Sequence, residues 1–266
     1  MVRRLEEKDR QRVLDFLREE ASINLFIIGD IEAFGFEEEF QTLWGQFTQD
    51  NQIEGVLLKF HESYIPYFKK EDIDITDFVK IILCTEGTKI VSGKESILDR
   101  FDKILPEHTT QSTFFCELTH QDKLLHDESI TQVKKADKKD AKRIYELIET
   151  IEEFNRVTNS IERIEHTLQT KTGRVFYMED ANGEMVAIAQ TTAENSQSAM
   201  VVGVATRKDY RGKGFMHKCL IKLCMEVMSE GKTLCLFYDN PAAGRIYHKV
   251  GFETIEKWMM MTIGDK

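Results

Sequence analysis

The chain has 266 residues, room for one large or two smaller domains, and 41% hydrophobic residues against 31% charged with only three prolines exclude a disordered or linker protein. A formal net charge of −10 argues against a general nucleic-acid binder, which needs a basic face to displace counterions; the acidic balance suits cationic or amine substrates and equally suits plain solubility. The cysteines Cys84, Cys116, Cys219, Cys224 and Cys235 form no C-x-x-C pair or disulfide framework, and the charged start and lack of a long apolar run exclude a signal peptide or a membrane span, so the expected location is cytoplasmic.

In chain order, residues 2–5 read as a strand, 10–19 and 23–33 as helices, and 41–47 and 53–60 as strands. Stretches at 78–84 and 89–91 and a helix over 95–104 continue the order. Polar stretches at 106–113 and 119–129, around a short strand-like 114–118, mark the expected domain boundary, set between residues 125 and 126.

The second half begins with a strand over 130–134, a helix over 138–150 and a helical stretch over 160–170. Residues 174–179 and 184–192 flank Asp180-Ala181-Asn182-Gly183, and Asn-Gly between apolar runs predicts a hairpin. Residues 198–206 are small and Val-rich without polar alternation, which suits a central strand covered on both faces. Over 215–229, Met216, Cys219, Leu220, Leu223, Cys224 and Val227 share one helical stripe, and Gly231 is a natural stop. Residues 233–238 read as another buried strand. Asp239-Asn240-Pro241 then caps a helix that runs to about residue 249 and stops at Gly251, and 252–262 forms a last strand or strand pair. The first half repeats this order faintly, as an old duplication would, but has no R-x-x-G-x-G-like loop.

A strand ending at Thr206 and a helix starting near Phe215 leave unpaired backbone N–H groups aimed at one point, which favours an anion. Gly212 and Gly214 let that backbone approach a pyrophosphate closely, and Arg211 and Lys213 add positive charge. The P-loop pattern and the G-x-G-x-x-G fingerprint are both absent. Taken alone, R-G-K-G also suits a solvated turn; the strand, loop and helix around it carry the phosphate reading.

The run V-G-V-A-T-R-K-D-Y-R-G-K-G-F-M over 202–216, followed by N-P-A-A-G-R-I-Y-H-K-V-G-F over 240–252, resembles the GNAT N-acetyltransferase superfamily. The resemblance covers roughly residues 126–266, and the first half looks like a degenerate copy of the same fold, as in tandem members. It implies an α/β fold of tandem domains, each a twisted, mixed, mostly antiparallel sheet flanked by helices, with 1–125 lacking the cofactor loop and 126–266 catalytic. It implies acetyl-CoA as co-substrate, with the pantetheine arm beside Val204, Ala205 and Thr206, the pyrophosphate on Arg211, Gly212, Lys213, Gly214, Phe215 and Met216, and Asn240 nearby. Met216 departs from the family's R-x-x-G-x-[GA], whose last position is small.

Acetyl transfer to an amine needs a donor for the developing oxyanion and an acid for the leaving thiolate. Backbone N–H near Val204 suits the first. Tyr247 suits the second, at the family's N-x-x-A-x-x-x-Y spacing from Asn240 and Ala243. Tyr247 also has a plain reading as a packing residue, and Asn240 as a helix cap. Glu194, Glu152 and Glu153 are candidate bases, and equally surface acids. His61, His108, His120, His126, His166, His217 and His248 show no metal-ligand spacing, so no metal is expected, and the cysteines on predicted core faces make a covalent cysteine mechanism improbable. The expected activity is direct acetyl transfer to a small-molecule or peptide amine, with the N-terminal half shaping the acceptor cleft and without nucleic acid or membrane partners. The alternative is a CoA-binding sensor or interaction module without turnover.

Overall fold

The computed structural model describes residues 1–70, 72–124, 128–154 and 160–264. His126 and the expected boundary between residues 125 and 126 lie outside the described residues. The elements in order are β1 (Val2–Arg4), α1 (Arg10–Arg18), α2 (Leu25–Phe34), β2 (Gln41–Phe47), β3 (Ile53–Phe60), β4 (Ser63–Phe68), α3 (Thr76–Leu83), β5 (Lys89–Lys94), α4 (Glu95–Asp102) and β6 (His108–Leu118). There follow β7 (Lys134–Lys135), α5 (Ala141–Glu149), α6 (Ile161–Thr170), β8 (Val175–Glu179), β9 (Met185–Thr192), β10 (Ser198–Thr206), α7 (Phe215–Ser229), β11 (Thr233–Tyr238), α8 (Pro241–Val250) and β12 (Glu253–Ile263).

The chain forms two compact units, one of residues 1–115, 237–239 and 254–266, the other of 116–236 and 240–253. In the first, strands run in the order β1-β2-β3-β4-β5-β12 with β6 beyond. There β2 pairs antiparallel with β1 and β3, β3 with β4, and β5 with β12, while β4 pairs parallel with β5. The last strand of the chain thus completes the first unit, Trp258 opposite Lys94 through Ile263 opposite Lys89. Helix α2 buries Leu25, Ile27, Ile28 and Ile31, and the Gln41 side chain donates to the carbonyls of Asp30 and Gly35 at its C-terminal end. Phe26, Phe115, Phe237 and Trp258 form one aromatic cluster, with ring centroids 4.7 to 6.3 Å apart.

In the second unit the order is β11-β10-β9-β8-β7, antiparallel except β10 with β11. Its core joins Ile144, Leu147 and Ile148 of α5 and Ile164 of α6 to Val175, Tyr177, Met185 and Ile188 of the sheet. Asp180 Oδ1 accepts from the N–H groups of Asn182 and Glu184, each at 2.9 Å, which closes the predicted hairpin around Gly183 at φ +82°.

Three elements differ from the sequence reading. Residues 128–132 form a 3-10 turn with only Lys134–Lys135 as strand, because Ile130 and Val133, both buried, stand three apart, a helical and not an alternating spacing. Strand β4 carries Pro66 and follows a two-residue turn whose positive φ, +50°, falls on His61, so neither a strand pattern nor a glycine marked it. The polar residues at the start of β6 are strand, where a connecting segment was expected.

Candidate functional site

The site is built where β10 leaves its two neighbours. Against β11 it pairs only through Ser198, Ala199 and Met200, opposite Thr233, Leu234 and Cys235. Against β9 the register runs to Val202 opposite Gln190 and resumes at Ala205 opposite Ile188, so one extra residue forms a bulge. Gly203 sits in that bulge at φ +56°, and a Cβ there would lie 2.2 Å from Gln190 Nε2. The strand is buried up to Val201 and then opens: Val202 is 38% exposed and Val204 is half-buried, while Ala205 stays in the core.

The loop after Thr206 is fastened by Tyr210. Its hydroxyl donates to Asp180 at 2.6 Å, and the charges of Arg207 and Lys213 lie 4.5 and 4.9 Å from its ring centroid. Arg211 donates through Nε to the Thr206 carbonyl at 3.2 Å and pairs through Nη2 with Glu153 at 2.9 Å. Gly212 and Gly214 have φ of +78° and +76°, and nothing lies within 4 Å of either Cβ position, so the backbone is bare where a ligand would approach. Gly214 precedes α7 without side-chain capping, leaving the first-turn N–H groups open. Met216 is half-buried at the helix start and is not part of the apolar stripe that Cys219, Leu220, Leu223, Cys224 and Val227 bury.

Both α7 and α8 follow the parallel strands β10 and β11, so chain direction starts both helices beyond the strands' C-terminal ends. Asn240 caps α8, its Oδ1 accepting from Ala242 N at 2.8 Å, with Pro241 at the first position. Tyr247 is half-buried, its ring edge-on to Phe252 at 6.1 Å. Burial raises its phenol above the ordinary range.

The candidate bases are placed otherwise. Burial alone would raise the Glu194 carboxyl, but hydrogen bonds from Arg174 and Thr191 and the charge of Lys232 bring it below its ordinary value. Its side chain is 4% exposed, with Arg174 Nη2 at 2.6 Å, and Arg174 also reaches Glu226 and Glu230 at 3.1 and 2.6 Å. Glu194 is therefore a structural anion. Glu153 is lowered by its hydrogen bond from Arg211, and Glu152 lies 3.7 Å from Lys208, so both acids face the basic loop. Burial pushes Cys219 up to about 12 and Cys224 higher, which leaves both as unreactive thiols. Among the described residues no group of three His, Cys, Asp or Glu side chains could hold a metal ion, and no helix is long and apolar enough to cross a membrane.

Sequence reasoning placed the loop and the start of α7 where the structure has them, and gave Asn240 as a helix cap, which it is. It missed the bulge at Gly203 with its partner Gln190, although a glycine inside a valine-rich strand is the usual sign of one. It also missed the Tyr210 to Asp180 fastening, which joins segments thirty residues apart and leaves no local signal.

The family model of the GNAT acetyltransferases matches residues 83–261, so the match starts upstream of the segment that carries the sequence resemblance. No curated protein matches the chain. Among solved structures, a tandem GNAT protein from the clavulanic acid biosynthesis pathway is similar with a TM-score of 0.62 at 13% identity, covering 100% of this chain and 99% of that one. A GCN5-related N-acetyltransferase from Sphaerobacter thermophilus gives 0.66 at 13% identity, covering 99% and 95%. A Drosophila protein gives 0.73 at 9% identity, covering 100% and 99%. At these identities the likeness is one of fold, and the fold is tandem.

Proposed function

Because the chain belongs to the GNAT acetyltransferase family, we propose that it moves an acetyl group from acetyl-CoA directly to the amine of a small molecule or peptide, with 126–266 as the catalytic half and 1–125 shaping the acceptor side. The observation that carries this reading is the uncapped start of α7 behind two bare glycines at positive φ, set just past the point where β10 parts from β11. A side chain at either glycine would stand where a pyrophosphate must come within hydrogen-bonding distance of backbone.

Arg211, Gly212, Lys213, Gly214, Phe215 and Met216 would hold the pyrophosphate, and Val204, Ala205 and Thr206 would hold the pantetheine arm along the opened edge of β10, with Asn240 at the head of α8. Acetyl-CoA supplies a thioester carbonyl to the site. Backbone N–H near Val204 donates to that oxygen as negative charge builds on it. As the neutral amine nitrogen bonds to the carbonyl carbon and the C–S bond breaks, Tyr247 gives its proton to the departing sulfur, and the proton shed by the nitrogen restores the phenol, directly or through water. Arg211 exchanges its exposed partner Glu153 for phosphate at little cost, because an exposed pair of this kind contributes about 0–1 kcal/mol. A cytoplasmic location is part of the same reading, supported by five cysteines that are all free.

Calorimetric titration of acetyl-CoA and CoA into the wild type and into Arg211→Ala/Gly214→Asp tests it. Saturable wild-type binding that is lost in the folded double variant supports the site. Tyr247→Phe should keep that binding while amine acetylation falls about 100-fold or more. Binding without acetylation of any amine in a broad panel, and without release of CoA thiol, would turn the assignment to a CoA sensor. Absence of binding would end the acyltransferase reading.

A further inference from the structure

The first unit has its own opened strand pair, finished in a different chemistry. Strands β4 and β5 pair only at Ser63 opposite Ile90 and Tyr64 opposite Val91. Past that point lies a cavity of about 380 Å³ lined by Glu19, Glu20, Phe68, Lys69, Lys70, Lys94, Ser96, Ile97 and Arg100. In a chain whose net charge is −10, four of the nine lining residues are cationic and two anionic, and with Glu256 beside Lys94 as a third acid the cavity keeps a local surplus of one positive charge.

The cations are partly engaged among themselves and their neighbours. Lys69 pairs with Glu19, and Lys94 lies 3.3 Å from Glu20 and 3.7 Å from Glu256. Arg100 is stacked 5.2 Å over the Phe68 ring and donates through Nη2 to the Ile73 carbonyl. Its Nη1 is removed from solvent and has no hydrogen-bond partner. Helix α4 begins at the same wall: Ser96 and Ile97 lie in its first turn, Lys94 at its N-cap gives it no side-chain cap, and the first-turn acid Glu95 is paired with Lys257 at 3.5 Å.

We propose that this cavity is a binding site for a small phosphate monoester, separate from the acetyl-CoA site of the second unit. A lining of four cations, the Arg100 guanidinium among them, and a helix start without a side-chain cap match a group that carries close to two negative charges and three acceptor oxygens at neutral pH. The volume is that of roughly a dozen waters, which leaves room for the organic part of the ester beyond the phosphoryl group. The inference does not depend on the proposed acetyl transfer, since every residue it uses lies within the first 115 or the last 13 of the chain.

The experiment is phosphorus NMR and calorimetric titration of the full chain with glycerol phosphate and inorganic phosphate at fixed ionic strength, with acetate as the carboxylate control. Wild type should bind both phosphates saturably and acetate at least ten-fold more weakly. Arg100→Gln should weaken the phosphates ten-fold or more, and Lys70→Glu, at an exposed position where folding is not at stake, three- to ten-fold. Gly214→Asp should leave them unchanged. Loss in Gly214→Asp with retention in Arg100→Gln and Lys70→Glu would move the phosphate to the second unit's loop and overturn the proposal. No saturable wild-type binding would mean that the cavity holds water only and would also overturn it. Displacement of glycerol phosphate by CoA in the Gly214→Asp chain would make the cavity a CoA cleft, contrary to the proposal.

Discussion

Each unit contains one pair of parallel strands that starts side by side and then parts, after two residue pairs in the first and three in the second. Beyond the parting the two differ. Strand β4 pairs with β3 without interruption from Ser63 to Phe68 and runs on into Lys69-Lys70, whereas β10 is bulged at Gly203 and runs on into a loop with two glycines at positive φ. The parting belongs to the shared fold. A bulge on the parting strand itself and two bare glycines in the loop that follows it are what one unit adds and the other lacks. The units also differ in how each treats a carboxylate: Glu194 in the second is lowered by Arg174 despite its burial, and the half-buried Asp30 in the first is raised to about 7 by loss of water around it.

The largest expected effect sharpens that contrast at Arg174. Replacing it with methionine leaves Glu194, 4% exposed, without its two short hydrogen bonds of 2.6 and 2.8 Å. Removing one partner of a buried pair costs about 3–5 kcal/mol. Chemical denaturation at pH 7 should report a loss of that size. Because Glu230 is lowered to about 2 and Glu194 is lowered as well, this stabilisation is present above the unfolded value near 4.5 and is lost as pH falls through the folded values. The variant should therefore show a flatter stability profile between pH 4.5 and 2. An unchanged midpoint at pH 7 would mean that the two carboxylates are not held differently after all.

Asp30 should behave with the opposite sign. Its carboxyl keeps a proton up to about pH 7 in the folded protein and only to about 3.8 unfolded, so the folded state binds more protons in between and stability falls as pH rises through that window. Asp30→Asn removes the buried charge without changing shape. It should raise stability by about 2–4 kcal/mol at pH 8, with the gain vanishing below pH 4. A gain of equal size at both pH values would assign the effect to packing instead of ionisation.

Much of this contrast was legible in the sequence where the physics is local. The strands 41–47, 53–60, 198–206 and 233–238 and the helix 215–229 were fixed by apolar pattern and bounding glycines, and the structure has all five at those limits. The glycine loop was legible because an anion site at a helix start needs particular residues at particular offsets. Strand β4 was not, since Pro66 and a positive-φ His61 speak against a hairpin strand and only pairing with β3 overrides them. The fate of Glu194 was invisible too: its cationic partners Arg174 and Lys232 come from two separate segments and share Glu230 as a second acid, and only the fold makes them one network.

The smallest change tests whether the bulge itself, and not the glycine loop, makes the second unit's opening usable. At Gly203 the φ of +56° costs an alanine about 1 kcal/mol, and its Cβ would meet Gln190 Nε2 at 2.2 Å, the mobile end of a long side chain that can swing away. Gly203→Ala should therefore lose about 1–2 kcal/mol of stability, and Gln190→Ala in the same chain should recover the steric part while leaving the backbone part. If the bulge sets how β10 presents its backbone between Val202 and Ala205, the KM for acetyl-CoA should rise several-fold in Gly203→Ala and remain raised in the double variant, because the strand would still prefer a regular register. A KM restored by Gln190→Ala would show that Gln190 and not the bulge governs access. The two units would then differ only in their loops, and β4 would need no more than two glycines to become the equal of β10.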